Sequence, residues 1–249
     1  MRYAIGIEYD GTSFSGWQLQ KTARTIQGDL SKALSKFANE EIIPIGCGRT
    51  DAGVHAKCQV AHFDTEAERS LFQWRSGVNA LLPEGISIQW VNLVDQNFHA
   101  RMSATFRTYR YTIINQPYRS PLIERYAWLV MQNLDGCLMS EALQYLLGTH
   151  NFSCFRASGC QAKTPVRHML SAQLIRQDQA IIIELKANAF LYHMVRNVIG
   201  SIVHIGLKKM PPDWMEVLIK SKDRELAGPT APAHGLCLYK VEFPNYSFS

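Results

Sequence analysis

Gly46-Cys47-Gly48-Arg49-Thr50-Asp51-Ala52-Gly53 sets three glycines around an aspartate within eight residues. A backbone so poor in side chains can turn sharply where Cβ atoms would obstruct it, and Thr50 and Asp51 then sit at the apex, pointing out. An ionised carboxylate presented in this way can act as a nucleophile or as a general base. Asp and Gly are also ordinary turn formers, so the same stretch reads as a structural turn. Arg49 counts against the plain turn, because a turn needs no arginine two residues before its aspartate.

Three other stretches could carry chemistry. Phe106-Arg107-Thr108-Tyr109-Arg110-Tyr111 interleaves arginines with aromatics, which suits stacking on a base and holding its phosphate. It reads equally as a strand with aromatic core residues on one face. Asn188 to Asn197 contains Arg196 inside an otherwise apolar helix, either on a solvent stripe or paired with a buried acid. The flanking Val195 and Val198 favour the second. Basic residues Arg156, Lys163 and Arg167 cluster in the loop 152–167, with Gly159 and Pro165. Such a loop is either ordinary surface or a grip for phosphate.

The elements that must position these residues follow from periodicity. Residues 2–9 alternate, with Tyr3, Ile5, Ile7 and Tyr9 on one side, as a half-buried strand does. Thr25 caps a helix carrying Ile26, Leu30, Ala33, Leu34 and Phe37 at helical spacing. Strands are expected at 42–45 and 54–63, a helix at 71–82 stopped by Pro83, and a strand from Ile86 to Val94. The second half repeats the order: a strand at 104–114, a helix at 134–147, strands at 166–175 and 180–187 joined through Gln177-Asp178-Gln179, and a helix at 190–207. A shorter helix begins at Pro211-Pro212-Asp213, and a strand at 236–243 closes the sheet. Two successive β-α-β-β-α-β units, each an RRM- or ferredoxin-like arrangement, predict an α+β fold of two sheets that carry helices on one face and leave the other face open. Many folds that bind no nucleic acid share this topology. The boundary is expected near residues 95–103, giving an N-terminal domain 1–100 that carries Asp51 and a C-terminal domain 101–249, with the active-site cleft between them.

Composition narrows the classes. A chain of 249 residues with 47% hydrophobic residues can bury a core without staples. Its N-terminus lacks the apolar region of a signal peptide, and no apolar run is long enough to span a bilayer. A soluble, non-exported cytoplasmic protein with no membrane partner is therefore expected. Six cysteines without a CxxC pair and eight histidines without HExxH or HxH spacing predict neither a disulfide framework nor a metal site. The 26 Lys and Arg against 21 Asp and Glu, a formal charge of +5, permit an RNA partner without requiring one.

Taken together, these stretches resemble the pseudouridine synthases, specifically the TruA family that acts on tRNA. The resemblance runs through Tyr9-Asp10-Gly11, Gly16-Trp17-Gln18 and the signature Gly48-Arg49-Thr50-Asp51-Ala52-Gly53-Val54-His55-Ala56. It continues through Phe98-His99-Ala100-Arg101, Tyr109-Arg110-Tyr111, Phe155 to Gln161, Thr164-Pro165-Val166-Arg167, Phe190 to Asn197 and Ala231 to Leu236. It covers nearly the whole chain, and the Asp51 signature is highly specific; Cys47, just before it, falls on a variable position.

The resemblance implies the pseudouridine synthase fold, with a mixed, mainly antiparallel sheet. It also implies isomerisation of uridine to pseudouridine on the 3′ side of the anticodon stem and loop, at tRNA positions 38, 39 and 40. It places the essential carboxylate on Asp51, the base-stacking ring on Tyr109, the arginine that pairs with the aspartate on Arg196, and an apolar residue of the base pocket on Leu236. Arg49, Arg156, Lys163 and Arg167 are the further substrate-binding candidates. The family needs no cofactor and works as homodimers, with one tRNA crossing both subunits. Two rival readings are a non-catalytic RNA-binding protein of tandem RRM-like units and a small-molecule enzyme using Asp51 as acid or base. The first leaves Asp51 and Arg196 without a purpose. The second predicts a second carboxylate or a metal cluster, and neither is evident in the sequence.

Overall fold

The computed structural model describes residues 1–248. In chain order the elements are β1 (Arg2–Tyr9), α1 (Ile26–Ala38), β2 (Ile45–Gly46), β3 (His55–Asp64), α2 (Leu71–Asn79) and β4 (Ile86–Val94). They continue with β5 (Phe106–Asn115), β6 (Trp128–Val130), α3 (Gly136–Gln144), β7 (Gly148–Asn151), β8 (Val166–Gln177) and β9 (Ala180–Ala187). The last are α4 (Met194–Gly206), α5 (Trp214–Ser221) and β10 (Leu236–Glu242). The chain groups into two compact units, Met1–Thr105 together with the stretch from Cys237 onward, and Phe106–Leu236.

In the first unit the strand order is β4-β1-β3-β10, with β2 on β3. The pairs β1–β3 and β1–β4 are antiparallel, whereas β10 runs parallel to β3 through Cys237↔His55 and Leu238↔Ala56. Helix α1 starts at Thr25, whose side chain accepts from the Gly28 N–H, and α2 starts at Ser70 in a capping box with Gln73. Trp74 of α2 packs on Tyr3 and Phe63, so the side of β1 bearing Tyr3, Ile5 and Ile7 faces the helices.

The opposite face, expected from the sequence to be open, is partly covered in this unit, while the Glu8–Lys57 pair remains in solvent. Trp90 lies over Gly6, where a Cβ would come within 2.1 Å of its indole. Trp90 stacks on Phe248 at 4.5 Å, and Phe248 joins Phe98, Phe243 and Tyr246 in one aromatic cluster. Ala4 is as fully buried as Ile5, so β1 is covered on both faces there rather than half-buried.

In the second unit the order is β5-β9-β8-β7, all antiparallel, with β6 parallel to β5. Tyr111 pairs with Ile183 and Ile113 with Ile181, all four fully buried. α3 packs on β8 and α4 on α3. The other side carries the half-buried Arg110–Glu184 ion pair at 2.7 Å and Lys186 over the Phe106 ring. The β8–β9 hairpin turns at Asp178 in the left-handed region, φ 51°, at the expected place.

Three departures from the sequence reading have physical reasons. Helix α4 begins at Met194 rather than Phe190, because His193 adopts φ 59°, which no right-handed helix contains. The short strands β6 and β7 went unexpected, being too short to show alternation. The chain beyond Cys237 groups with the first unit rather than with an unbroken C-terminal domain 101–249, through the parallel pairing of β10 with β3. Periodicity identifies a strand but not the neighbour it pairs with.

Candidate active site

Asp51 sits in the loop between β2 and β3, and that loop is held by main-chain contacts from elsewhere in the first unit. The Trp17 N–H donates to the Thr50 carbonyl at 3.0 Å, and the Gly53 N–H donates to the Phe14 carbonyl at 3.4 Å. Within the loop, the Val54 N–H closes a turn on the Asp51 carbonyl at 3.1 Å. Gly16, at φ 85°, allows the approach, since a Cβ there would lie 2.7 Å from the Thr50 carbonyl oxygen. Gly11 does the same against Val54, where a Cβ would lie 2.0 Å from the carbonyl oxygen. The Gly11 N–H also donates to His55 Nδ1 at 3.1 Å.

Buried side chains fix the loop from beneath. The Tyr9 hydroxyl and Thr50 Oγ1 lie 2.7 Å apart, both buried. Burial pushes the Tyr9 hydroxyl well above the ordinary phenol range, so it remains a protonated partner. Gln59, fully buried, donates from Nε2 to the Gly48 carbonyl at 2.8 Å and accepts from Cys47 Sγ at 2.9 Å. Asp51 itself is half-buried and Arg49 is exposed, with Arg49 Nε donating to Gln18 Oε1 at 3.1 Å. The turn reading and the chemical reading thus meet: Asp51 is in a tight turn whose shape is set from outside the turn.

In the second unit Tyr109 is half-buried on β5, and the Phe190 ring meets it edge-on at 5.0 Å and 83°. Tyr111, two residues on, is core; its hydroxyl donates to the Pro232 carbonyl at 2.8 Å. Burial drives its pKa above the ordinary phenol range, against the opposing charge of Arg196. Arg196 is half-buried on α4. Its Nε donates to the Ala231 carbonyl at 2.8 Å, and the Ala231 N–H returns a bond to the Arg196 carbonyl at 3.1 Å.

The chain around Ala231 is itself strapped to α4. Asn197, fully buried, donates to the Phe155 carbonyl and accepts from Thr230 Oγ1 at 2.6 Å and Arg224 Nη2 at 3.0 Å. Gly200 lets the strap touch the helix, since a Cβ would lie 1.7 Å from the Pro229 carbonyl oxygen. Leu236 is buried just beyond, after Gly235, whose missing side chain makes room for the Tyr111 ring.

The basic loop is organised by its own arginines. Arg156 Nη2 donates to the Cys160 and Ala162 carbonyls at 2.7 and 3.0 Å. Arg167 Nη1 donates to Thr164 and Val166 at 2.8 and 2.6 Å, and Arg167 is only 9% exposed. Lys163 is exposed. Burial opposes ionisation of Cys160, yet N–H donors from Tyr192 and Ala162 and the Arg156 guanidinium outweigh it, so the thiol lies below its ordinary range. Sequence reasoning singled out Asp51, Arg49, Tyr109 and Arg196 but passed over Tyr9, Gln59 and Asn197. Gln59 left one signal, a long polar side chain in an otherwise apolar stretch of strand.

Among the described residues no group of three or more His, Cys, Asp or Glu is placed to hold a metal ion. None of their helices is long and apolar enough to cross a membrane.

A family model described as tRNA pseudouridine synthase matches residues 5–102 and 142–244 of the chain. The chain belongs to the tRNA pseudouridine synthase family. The matched stretches include Arg49, Asp51, the basic loop, Arg196 and Leu236, and leave out Tyr109. The chain is 48% identical over 244 residues to the tRNA pseudouridine synthase A of Aliivibrio salmonicida, covering 98% of this chain and 93% of that one. It is 48% identical over 246 residues to that of Histophilus somni strain 2336, covering 99% and 91%. With that of Coxiella burnetii strain Dugway 5J108-111 it shares 45% over 243 residues, covering 98% and 93%. Pseudouridine synthases are isomerases, and this chain is a member of that class. Among solved structures, a Cbf5-Nop10-Gar1 complex aligns with 81% of this chain and 45% of that one at 12% identity, with a TM-score of 0.34, too loose to add to the case.

Proposed function

We propose that this chain isomerises uridine to pseudouridine in tRNA with Asp51 as its essential carboxylate, and that its targets lie on the 3′ side of the anticodon stem and loop. The observation that carries the reading is the Asp51 turn, pinned from outside by Trp17, Phe14 and Tyr9 within a stretch matched by the family model. A group that must meet a reacting atom repeatedly gains from being held by a rigid surround.

The reaction breaks the N1–C1′ glycosidic bond, turns the uracil over and joins C5 to C1′. The C5 proton then leaves and N1 gains one, so no external group is added and no cofactor is required. Whether the carboxylate attacks C1′, attacks uracil C6 or removes a sugar proton, it must be ionised to do so. Extruding the base from its stack costs a few kcal/mol. Tyr109, braced edge-on by Phe190, offers a ring whose stacking returns about 1–3 kcal/mol. Arg196, fixed in orientation through Ala231, serves as counter-charge to the reacting carboxylate, with Leu236 as apolar lining for the base. The exposed Arg49 and Lys163 grip the RNA, Arg156 and Arg167 shape the loop that presents Lys163 to it, and two copies of the chain bind one tRNA.

The test is to map pseudouridine by carbodiimide-blocked primer extension on tRNA treated with the wild-type protein and with Asp51→Asn. New stops confined to the 3′ side of the anticodon arm, absent with Asp51→Asn, are expected. Stops elsewhere in the tRNA overturn the target assignment, and unchanged stops with the variant overturn the role of Asp51. Sedimentation of the protein with and without tRNA tests the two-copy complex, and a one-to-one complex contradicts it.

A further inference from the structure

The loop that carries Asp51 also carries Arg49, and the structure gives that arginine an anchor with a defined polarity. The anchor begins at a carbonyl. Gln27, the second residue of α1, has a buried side chain whose Nε2 donates to the Pro44 carbonyl at 3.0 Å. A carbonyl oxygen can only accept, so the amide of Gln27 has one permitted orientation, with its NH2 toward Pro44. Its Oε1 is thereby turned toward Leu19 and Gln18, and it accepts from the Leu19 N–H at 2.8 Å and from Gln18 Nε2 at 2.9 Å. The second amide is then fixed as well. With its NH2 spent on Gln27, Gln18 presents Oε1 to Arg49 Nε at 3.1 Å. A guanidinium only donates, so the chain ends with the correct partner.

The segment bearing Gln18 is itself pinned to the start of α1. The Ile26 and Gln27 N–H groups donate to the Gly16 and Trp17 carbonyls at 3.1 and 3.0 Å. Two of the helix's first N–H groups are satisfied in this way, and the chain leading to Gln18 is held in register with Gln27.

We propose that Gln18 is a positioning residue that sets the plane of the Arg49 guanidinium before RNA arrives, and that Gln27 dictates the direction of the relay from Pro44. This rests on the reading of Arg49 as a substrate-binding residue and deepens it. An exposed arginine otherwise loses side-chain freedom each time it engages a ligand, and anchoring Nε removes part of that loss beforehand.

The experiment is a double-mutant cycle on the full protein with a tRNA substrate, using Gln18→Met, Arg49→Ala and the pair. Gln18 is exposed and methionine has similar length, so the thermal midpoint is expected to stay at the wild-type value. In the wild-type background Gln18→Met lowers kcat/KM by roughly ten- to a hundredfold, as for loss of one hydrogen bond to a charged group. In the Arg49→Ala background it has no further effect, because the two residues act as one unit. An equal loss in both backgrounds, or no loss in the wild type, overturns the proposal. The Arg49 Nε–H signal in a nitrogen-15 spectrum reads the anchor without any activity. It is protected from solvent exchange in the wild type and exchanges fast in Gln18→Met. An unchanged signal overturns the relay. Full activity of Arg49→Ala with the signal behaving as expected overturns instead the substrate role of Arg49.

Discussion

The Asp51 loop and the basic loop at 156–167 draw their side-chain support from different places. The first takes its support from outside: Trp17, Phe14, Tyr9 and Gln59 bond to it from other parts of the first unit. The second is braced mainly from within, by two guanidinium groups bonded to carbonyls of their own loop, with the Tyr192 main chain touching it at Ala157 and Cys160. The contrast separates chemistry from scaffolding. A loop gripped by its neighbours can devote an apex residue to the reaction, whereas a loop that uses its own arginines as struts has tied those charges into its shape. Changes at the apex of the first should be read in turnover, and changes to the struts of the second in stability.

The largest effect should come from breaking the outside grip. Gly11→Ala would place a Cβ against the Val54 carbonyl, a backbone atom with nowhere to go. We expect a loss of about 3 kcal/mol in urea unfolding, at the upper end for overpacking, together with loss of activity. A stable, active variant would mean the contact is dispensable. Arg156→Ala should come next, losing about 2 kcal/mol because two Cys160 and Ala162 carbonyls lose a charged donor, with kcat falling less than for any change at Asp51. If its stability is untouched while tRNA binding collapses, the loop is a grip rather than a scaffold.

Tyr9→Phe should cost only about 1 kcal/mol of stability but lower kcat more than KM, since it removes the hydroxyl bonded to Thr50 beside Asp51. Equal changes in kcat and KM would contradict a positioning role. A smaller, chemical contrast separates two thiols. Iodoacetamide should label Cys160, whose thiol is lowered, well before Cys154, which is buried and pushed up to about 12. Reversed order would refute the surroundings described for them.

Acid gives a further reading of the first unit. His62 is buried, its Nδ1 accepts from the Ala100 N–H, and burial followed by the neighbouring His99 pushes its pKa down to about 4. Between about pH 6.5 and 4 the unfolded chain therefore binds a proton that the folded one does not. Stability is expected to fall as pH drops through that window and to level off below it, as far as His62 contributes. Urea midpoints at pH 7 and pH 4.5 check this, with His62→Gln reducing the difference. An unreduced difference removes His62 from the account.

Much of this was legible from local pattern. The cap at Thr25 is set within four residues, alternation marked β1 and β4, and Gln177-Asp178-Gln179 marked the turn between β8 and β9. The signature around Asp51 pointed to the site through family resemblance, where turn chemistry alone left two readings standing. What stayed hidden depends on partners distant in sequence. Gln59 reads as a polar interruption until the fold puts it under Gly48, and Trp90 reads as an ordinary strand residue until Phe248 stacks on it. The aromatic cover over the first sheet required knowing where the chain after β10 returns. His193 looked helical because apolar spacing does not report a residue in the left-handed region.

The central claim is that the Asp51 carboxylate carries the isomerisation and the surrounding loop only presents it. Single-turnover pseudouridine formation by Asp51→Asn, with enzyme in excess over tRNA and binding measured on the same samples, tests it most directly. The account predicts tRNA affinity within about threefold of wild type and no product above background, a loss of at least about a thousandfold in rate. A rate within about tenfold of wild type would contradict it.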